Sequence, residues 1–391
     1  MREKRFSLLH IILAVVLTAI LTFGGTVLAA WVTIGPSGLT LLEGMSLVNT
    51  LFVGPYDEDK VLDAAMTGMV DGLGDRWSYY LNPAAYQATN ERRKNIYVGI
   101  GVTVSYENED GLLILSVEPD GPAGKAGIQP GELILSADGT SLAGEGQSEG
   151  VTLIQGEAGT SVTLEIRSAA GETRTVAVKR SKVETNPVEY ELLSDNVGYI
   201  KVKNFYDRSA DGVKAAVDDL VGQGAVALVF DMRNNGGGYL KELTDMLDYL
   251  LPEGPIFRSR SRSGQETVTS SDAHCIDLPM ATLVNRDTYS AAEFFGAELQ
   301  EQGVGIIVGE ETSGKGYSQQ TFPLPGGGGL GISTGAYLTG KGTSLVGAGV
   351  KLDAELSLTE EEDALLYAGK LSHADDPQLQ AALALLAQQT V

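Results

Sequence analysis

The sequence predicts a multidomain α/β protein. It reads as an α/β core carrying an inserted β-rich domain, an N-terminal helical region and one N-terminal transmembrane helix. Three observations predict this. Residues 187–345 alternate apolar strands with amphipathic helices, the pattern of a sheet covered by helices. Residues 95–182 change to short β-branched stretches separated by turns rich in Gly, Pro and Asp. Leu8 to Ala30 is an apolar run without charge, long enough at about 1.5 Å per residue to cross a hydrocarbon core of roughly 30 Å.

Arg2, Lys4 and Arg5 precede that run, against Glu3 alone. A basic flank stays cytoplasmic, so residues 1–31 read as a signal anchor and the remaining chain as extracytoplasmic. A cleaved signal peptide is the alternative, with Val27-Leu28-Ala29 a tolerable cleavage pattern. Residues 38–92 read as helical. Leu39, Leu42, Met45, Leu47, Val48 and Leu51 recur at helical spacing, as do Val61, Leu62, Ala65, Met66, Met69 and Val70. Strands are expected at Gly101–Tyr106, Leu112–Val117, Glu132–Ala137, Val162–Arg167 and Thr173–Arg180. The core continues with Val197–Val202, Ala225–Asp231, Ala281–Asn285 and Gly305–Gly309. Helices are expected at Ala210–Gly222, Leu240–Leu251 and Ala291–Gln302, and two short ones between Thr359 and Gln389.

Composition excludes several classes. With 28 basic and 51 acidic residues the net charge is −23, which disfavours a partner bound through phosphates, so no nucleic acid is expected. The single cysteine, Cys275, permits no internal disulfide and no Cys-rich zinc site. The three histidines, His10, His274 and His373, leave little room for imidazole chemistry. No metal or other cofactor is expected.

Three segments carry chemistry. The first is Tyr97-Val98-Gly99-Ile100-Gly101-Val102, with glycines around an apolar residue just before a strand. Successive backbone N–H groups can converge there into an anion nest, and the following strand can add a peptide to its edge. The residues expected to hold such a peptide are Gly99, Ile100, Gly101 and Val102. The second is Thr288-Tyr289-Ser290-Ala291-Ala292-Glu293, where a strand ends and a helix begins. A serine there sits beside free N–H groups, which suits a nucleophile, although Ser-x-x-Glu equally describes a capping box. The third is Gly314-Lys315-Gly316-Tyr317-Ser318-Gln319. Burial would lower the lysine pKa enough for base catalysis, and an extended strand would put Gln319 on the same face as Lys315. An exposed basic turn is the plain alternative.

Taken together these segments resemble the carboxyl-terminal processing peptidases, or tail-specific proteases, Ser-Lys serine endopeptidases with an inserted PDZ domain. Ser290 and Lys315 lie 25 residues apart, as in that family's layout, and Gln319 falls at its third position. Asp231-Met232-Arg233-Asn234-Asn235-Gly236-Gly237-Gly238 looks like the family's Asp-Leu-Arg-Asn-Asn-x-Gly-Gly loop. Gly121-Pro122-Ala123-Gly124-Lys125-Ala126-Gly127, with Asp138-Gly139 and Val151–Gly156, resembles a bacterial PDZ domain. Gly74-Asp75-Arg76-Trp77-Ser78-Tyr79-Tyr80-Leu81 and Asp376-Pro377-Gln378-Leu379 extend the likeness over most of residues 45–391. Of the usual Ser-Ala-Ser-Ala-Ser-Glu only the nucleophile-position serine remains, with Tyr289 beside it, and a proline of the C-terminal motif is replaced near Lys351.

The resemblance implies a catalytic set of Ser290, Lys315 and Gln319, with backbone oxyanion donors at Gly237 and Ala291. It implies a PDZ domain at 95–182, a protease core at 183–355 and a C-terminal helical region at 356–391. The implied partners are proteins or peptides with free C-termini and a homodimer through the terminal helices, whose apolar periodicity intramolecular packing explains equally. The membrane is expected as a partner from the apolar run Leu8 to Ala30. It also implies proteolysis of envelope proteins or a place in signal transduction. Competing readings are a Ser-His-Asp enzyme using His274, a Cys275 nucleophile, and a membrane-tethered PDZ adaptor with an inactive protease domain.

Overall fold

A computed structural model describes residues 8–106 and 108–388, in two units, Met1–Ala65 and Met66–Val391. The first contains the helix Leu8–Leu51, interrupted at Gly35 (φ 69°, ψ 175°). The cause is local. Glycine tolerates positive φ, and Pro36 has no N–H to continue the ladder. Within this helix Ile12–Ala29 is long and apolar enough to cross a membrane. The next helix is Glu58–Asp71, with Glu58 and Asp59 in its first turn, where acids complement the helix dipole.

Within the mainly helical region 38–92, the aromatic-rich segment 72–81 reads from the sequence as a turn, and the structure refines its end. Tyr79–Leu81 is a strand, followed by the helix Pro83–Arg93. Asn82 starts that helix, its side chain accepting the Ala85 N–H at 2.9 Å, with Pro83 at the first position. The strand pairs with Gly329–Leu338, in an antiparallel sheet that also contains Gly254–Ser261, Glu266–Ser271 and Tyr317–Pro323.

The α/β core is a six-stranded sheet. Its strand order is Val188–Leu192, Val197–Val202, Ala227–Asp231, Met280–Val284, Gly305–Gly309 and Ala354–Glu355. The first pair is antiparallel and every later pair parallel. The alternation of side chains along a strand shows why these read as continuous apolar runs. In Ala227–Asp231, Leu228 and Phe230 enter a core with the helices Ser209–Gly222, Leu240–Leu250 and Ala291–Glu301. Ala227 and Val229 face the other way, against Leu379, Ala382 and Leu386 of the helix Pro377–Ala387.

That last helix is also tied by charge. The buried Arg233 donates to Asp231 from Nε and Nη2 (2.9 and 2.6 Å), to Asp376 from Nη1 and Nη2 (3.1 and 2.7 Å) and to Gln378 from Nη1 (3.0 Å). Burial pushes the Asp231 carboxyl up, but Arg233 outweighs it and holds the group below the usual range. Removing one member would strand a buried charge, so the network fixes the loop after Ala227–Asp231 against the C-terminal helix.

The inserted module has its own core. It is a sheet of Val102–Ser105, Leu112–Val117, Leu133–Ala137, Ser161–Arg167 and Thr173–Lys179, with Thr140–Ser141 attached and the helix Gln147–Ile154 on it. Val102–Ser105 lies at one edge of the sheet and Thr173–Lys179 at the other. The chain enters and leaves through one two-stranded ribbon, Ile96–Gly99 with Ser181–Glu184.

Glu298, fully buried in the helix Ala291–Glu301, is an outlier. Its Oε1 accepts the Gly340 N–H at 2.6 Å, while Oε2 has no partner among the described residues. Burial pushes its pKa up to about 8, from 4.5. A carboxyl raised on folding takes up a proton as the chain folds, so its stability contribution falls as pH rises from about 4.5 through about 8. Thermal unfolding of Glu298→Gln between pH 5 and pH 9 should therefore show a flatter pH dependence than wild type, and a higher Tm at pH 9. Parallel curves would contradict this assignment.

Candidate active site

Three loops meet at the carboxyl ends of the core strands. The first follows Ala227–Asp231. Asn235 is fully buried, its Nδ2 donating to the Val202 carbonyl at 2.6 Å and its Oδ1 accepting the Gly237 N–H at 2.8 Å. Gly237 has φ 77°, and a Cβ there would lie 2.8 Å from the Ala291 nitrogen and 3.0 Å from the Ser290 Cβ. Only glycine allows this approach.

The second loop leads into the helix Ala291–Glu301. Asn285 bonds reciprocally with Asn234, its Oδ1 taking the Asn234 N–H (2.9 Å) and its Nδ2 donating to Asn234 Oδ1 (2.8 Å). Thr288 Oγ1 donates to the Met232 carbonyl at 2.8 Å. So held, Ser290 takes φ 60° and ψ −127°, a strained backbone for a residue with a Cβ.

The third loop carries Lys315. Gly314 (φ 67°) and Gly316 let it press against the backbone of 346–347, where Cβ atoms would collide. One carboxylate joins this loop to the second. Glu293, fully buried, accepts from the Ser290 N–H (2.8 Å) and the Lys315 N–H (2.9 Å) on Oε2, and from Thr312 Oγ1 (2.6 Å) and the Gly314 N–H (2.7 Å) on Oε1. Four donors on two oxygens is the pattern of an ionised carboxylate. Burial raises its pKa, and the four hydrogen bonds oppose that.

The Lys315 amine lies 4.5 Å from the centre of the Trp77 ring and 5.4 Å from that of Tyr289. Among the described residues it makes no hydrogen bond or ion pair. Burial pushes its pKa down to about 8 from 10.5. Glu293 and Asp75 pull it up, while Arg76 and Arg93 push the same way as burial. At pH 7 about one such amine in ten is neutral, against roughly one in three thousand for an ordinary lysine.

Ser290, Lys315 and Gln319 line one cavity of about 550 Å³, together with Gly236, Gly238, Arg92, Arg93 and five tyrosines. Two sequence-based expectations change in detail. Gln319 was expected to reach Lys315 along a regular strand, but the pairing shifts register between Ser318 and Gln319. Gln319 Nε2 donates instead to the Tyr317 carbonyl (2.9 Å) and to Ser333 Oγ (3.1 Å), which in turn donates to Asp75 (2.6 Å). Gly237, expected as an oxyanion donor, has its N–H committed to Asn235, whereas Gly236 and Gly238 line the cavity. Ala291 is the first residue of its helix, and among the described residues its N–H has no partner.

Sequence reasoning passed over Asp75, Trp77 and Glu293 as site residues. The signals were Gly74-Asp75-Arg76-Trp77 as a motif without a role, and Glu293 as half of a capping box. Neither His274 nor Cys275 lines the cavity. His274 packs on Tyr249 at 4.9 Å and Cys275 is exposed. In the inserted module Gly99, Ile100, Gly101 and Val102 line a separate apolar cavity of about 50 Å³, with Val151 and Ile154 of the facing helix. Among the described residues no group of His, Cys, Asp and Glu could hold a metal.

Comparison with known proteins gives the same class. Residues 196–356 match the model of peptidase family S41, and residues 113–168 that of the PDZ domain. The carboxy-terminal-processing protease of Bartonella bacilliformis is 31% identical over 317 residues, covering 78% of this chain and 72% of that protein. The chloroplastic carboxyl-terminal-processing peptidase 2 of Arabidopsis thaliana is 30% identical over 78% of this chain, which spans 62% of that relative's length. A solved photosystem II D1 C-terminal processing protease superposes with a TM-score of 0.51 at 27% identity, covering 88% of this chain and 93% of that one. The chain belongs to the carboxyl-terminal processing peptidases of family S41.

The electrostatics make one measurable statement. In lysine-selective NMR the Lys315 amine should titrate near 8, and Asp75→Asn should move it lower by removing a carboxylate that favours the charged form. A value near 10.5 would contradict the burial described here.

Proposed function

We propose that the chain is a serine endopeptidase of the cell membrane, tethered by Ile12–Ala29 with its catalytic part outside the cytoplasm. In this reading it takes protein substrates by their C-terminal tails. The observation that carries it is the placement of Ser290, on a strained turn at a helix N-terminus, in one cavity with a lysine whose pKa is depressed to about 8.

The chemistry follows from those groups. Neutral Lys315 takes the Ser290 hydroxyl proton as the oxygen attacks the scissile carbonyl. The Ala291 N–H, at a helix N-terminus, donates to the developing oxyanion. Gly237 joins it only by releasing Asn235. The Lys315 ammonium then gives its proton to the leaving amine, leaving an acyl-enzyme. Lys315, neutral again, takes a proton from the water that attacks the ester. It then gives that proton to the Ser290 oxygen as the acyl C–O bond breaks, restoring the hydroxyl and the neutral amine. Gln319 orients the site through Ser333 and Asp75 rather than by touching the amine. No cofactor enters any step.

The module supplies recognition. Val102–Ser105 is an edge strand, open to an added peptide strand, and Gly99–Gly101 offer backbone N–H groups for a terminal carboxylate. The small apolar cavity beside them suits a small apolar last residue. Homodimerisation and a signalling role remain proposals on the resemblance alone.

The test is cleavage of an unfolded protein with an apolar C-terminal tail by the full chain in detergent. Wild-type turnover should rise with pH through about 8 and level above it, because the neutral lysine is the active form. Ser290→Ala and Lys315→Ala should each lose at least about a thousandfold in kcat. Tail binding without cleavage by wild type would favour the adaptor reading, and full activity in either variant would overturn the mechanism.

A further inference from the structure

The wall of the catalytic cavity has a charge opposite to the rest of the chain. The sequence has 51 acidic residues and a net charge of −23. Yet the described residues lining this cavity include Arg92, Arg93 and Lys315 and not one carboxylate. Asp75 and Glu293 influence Lys315 from behind the wall, already engaged by Ser78, Ser333, Thr312 and backbone N–H groups.

The two arginines differ. Arg93 is half-buried and held, donating from Nη2 to the Tyr79 hydroxyl at 2.8 Å and from Nη1 to Thr321 Oγ1 at 3.4 Å. Arg92 is exposed, and among the described residues its guanidinium has no hydrogen bond or ion pair. It lines the same cavity as Tyr289 and Ser290. Burial raises that phenol, and the charge of Arg92 opposes the rise. Both arginines stand in the last turn of the helix Pro83–Arg93, so a rigid element carries them.

A planar guanidinium with free donors matches a carboxylate, which it can bind through two parallel hydrogen bonds. We infer that Arg92 is a specificity-determining residue that binds a carboxylate of the substrate close to the scissile bond. A cavity of about 550 Å³ holds only a short stretch of peptide, so the bound carboxylate belongs to the same few residues as the reacting carbonyl. Two sources share this chemistry: a Glu or Asp side chain, and the α-carboxylate of a short tail. The inference rests on the peptidase reading, and it selects among peptides where that reading does not.

The test uses the full chain in detergent and peptides of one neutral sequence ending in a carboxamide. One series replaces each Gln in turn by Glu, and one peptide carries a free α-carboxylate instead. Turnover is measured with wild type, Arg92→Gln and Arg92→Lys, and binding by calorimetry with each on a Ser290→Ala background. A carboxylate at the right place should raise kcat/KM about tenfold, mainly through KM. Arg92→Gln should erase that gain and Arg92→Lys should restore part of it. A gain with Glu assigns the side chain, and a gain with the free acid assigns the terminus. Where Arg92→Gln removes only part of a free-acid preference, the part that survives belongs to the PDZ domain and the part removed to Arg92. A carboxylate preference unchanged in Arg92→Gln, or none in wild type, overturns the inference. If no peptide is cleaved, the peptidase reading fails, while the calorimetric ratios still decide whether Arg92 binds a carboxylate.

Discussion

The Glu293 carboxylate is the constraint on which the site depends. Ser290 and Lys315 sit on separate loops, one opening a helix and one preceding a strand of a different sheet. Their amides converge on a single Glu293 oxygen, at 2.8 and 2.9 Å. The other oxygen secures Thr312 and Gly314, so the lysine loop is held at three points. Burial raises the pKa of this carboxyl, and its four hydrogen bonds to the charged form oppose that rise. Its negative charge also acts on the lysine, favouring the ammonium, the form that the proposed proton transfer produces. Placement and electrostatics therefore come from the same group.

This accounts for what could and could not be read beforehand. The core strands were legible because both faces are buried, so Ala227–Asp231 and Met280–Val284 are mostly apolar, with only Asp231 and Thr282 polar. The module was legible because its turn chemistry recurs between β-branched segments. The antiparallel sheet was not. Glu266–Ser271 and Tyr317–Pro323 are largely polar and half-exposed, and their periodicity carries no signal. Tyr79–Leu81 is three residues long and is a strand only through its partner Gly329–Gly331. Within the site, the segments of Ser290 and Lys315 read singly as a helix cap and a basic turn, and only their joint spacing and resemblance to a family singled them out. The link from Gln319 to Lys315 was inferred from a regular strand, and a register shift removed it. Glu293 was visible as a cap, but its other three partners come from a loop about twenty residues on, which no local pattern discloses.

Depressing a lysine pKa in so acidic a chain requires local arrangement. Burial does most of it, with Trp77 and Tyr289 excluding water from the amine. Arg76 and Arg93 add positive charge, and the nearest carboxylates are occupied by hydroxyls and amides. The framework beneath is equally tied by charge. Arg233 locks the Asn234–Gly238 loop to the C-terminal helix through Asp231 and Asp376, so the loop against Ser290 is anchored in the buried sheet.

The most direct test of this account is the rate at which a fluorophosphonate labels the wild-type chain and Glu293→Gln at pH 8, with the labelled residue located by mass spectrometry. The account predicts label on Ser290 in wild type, and labelling at least about tenfold slower in Glu293→Gln, because the amide cannot accept from all four donors. Label on another residue, or equal rates in the two proteins, would contradict it.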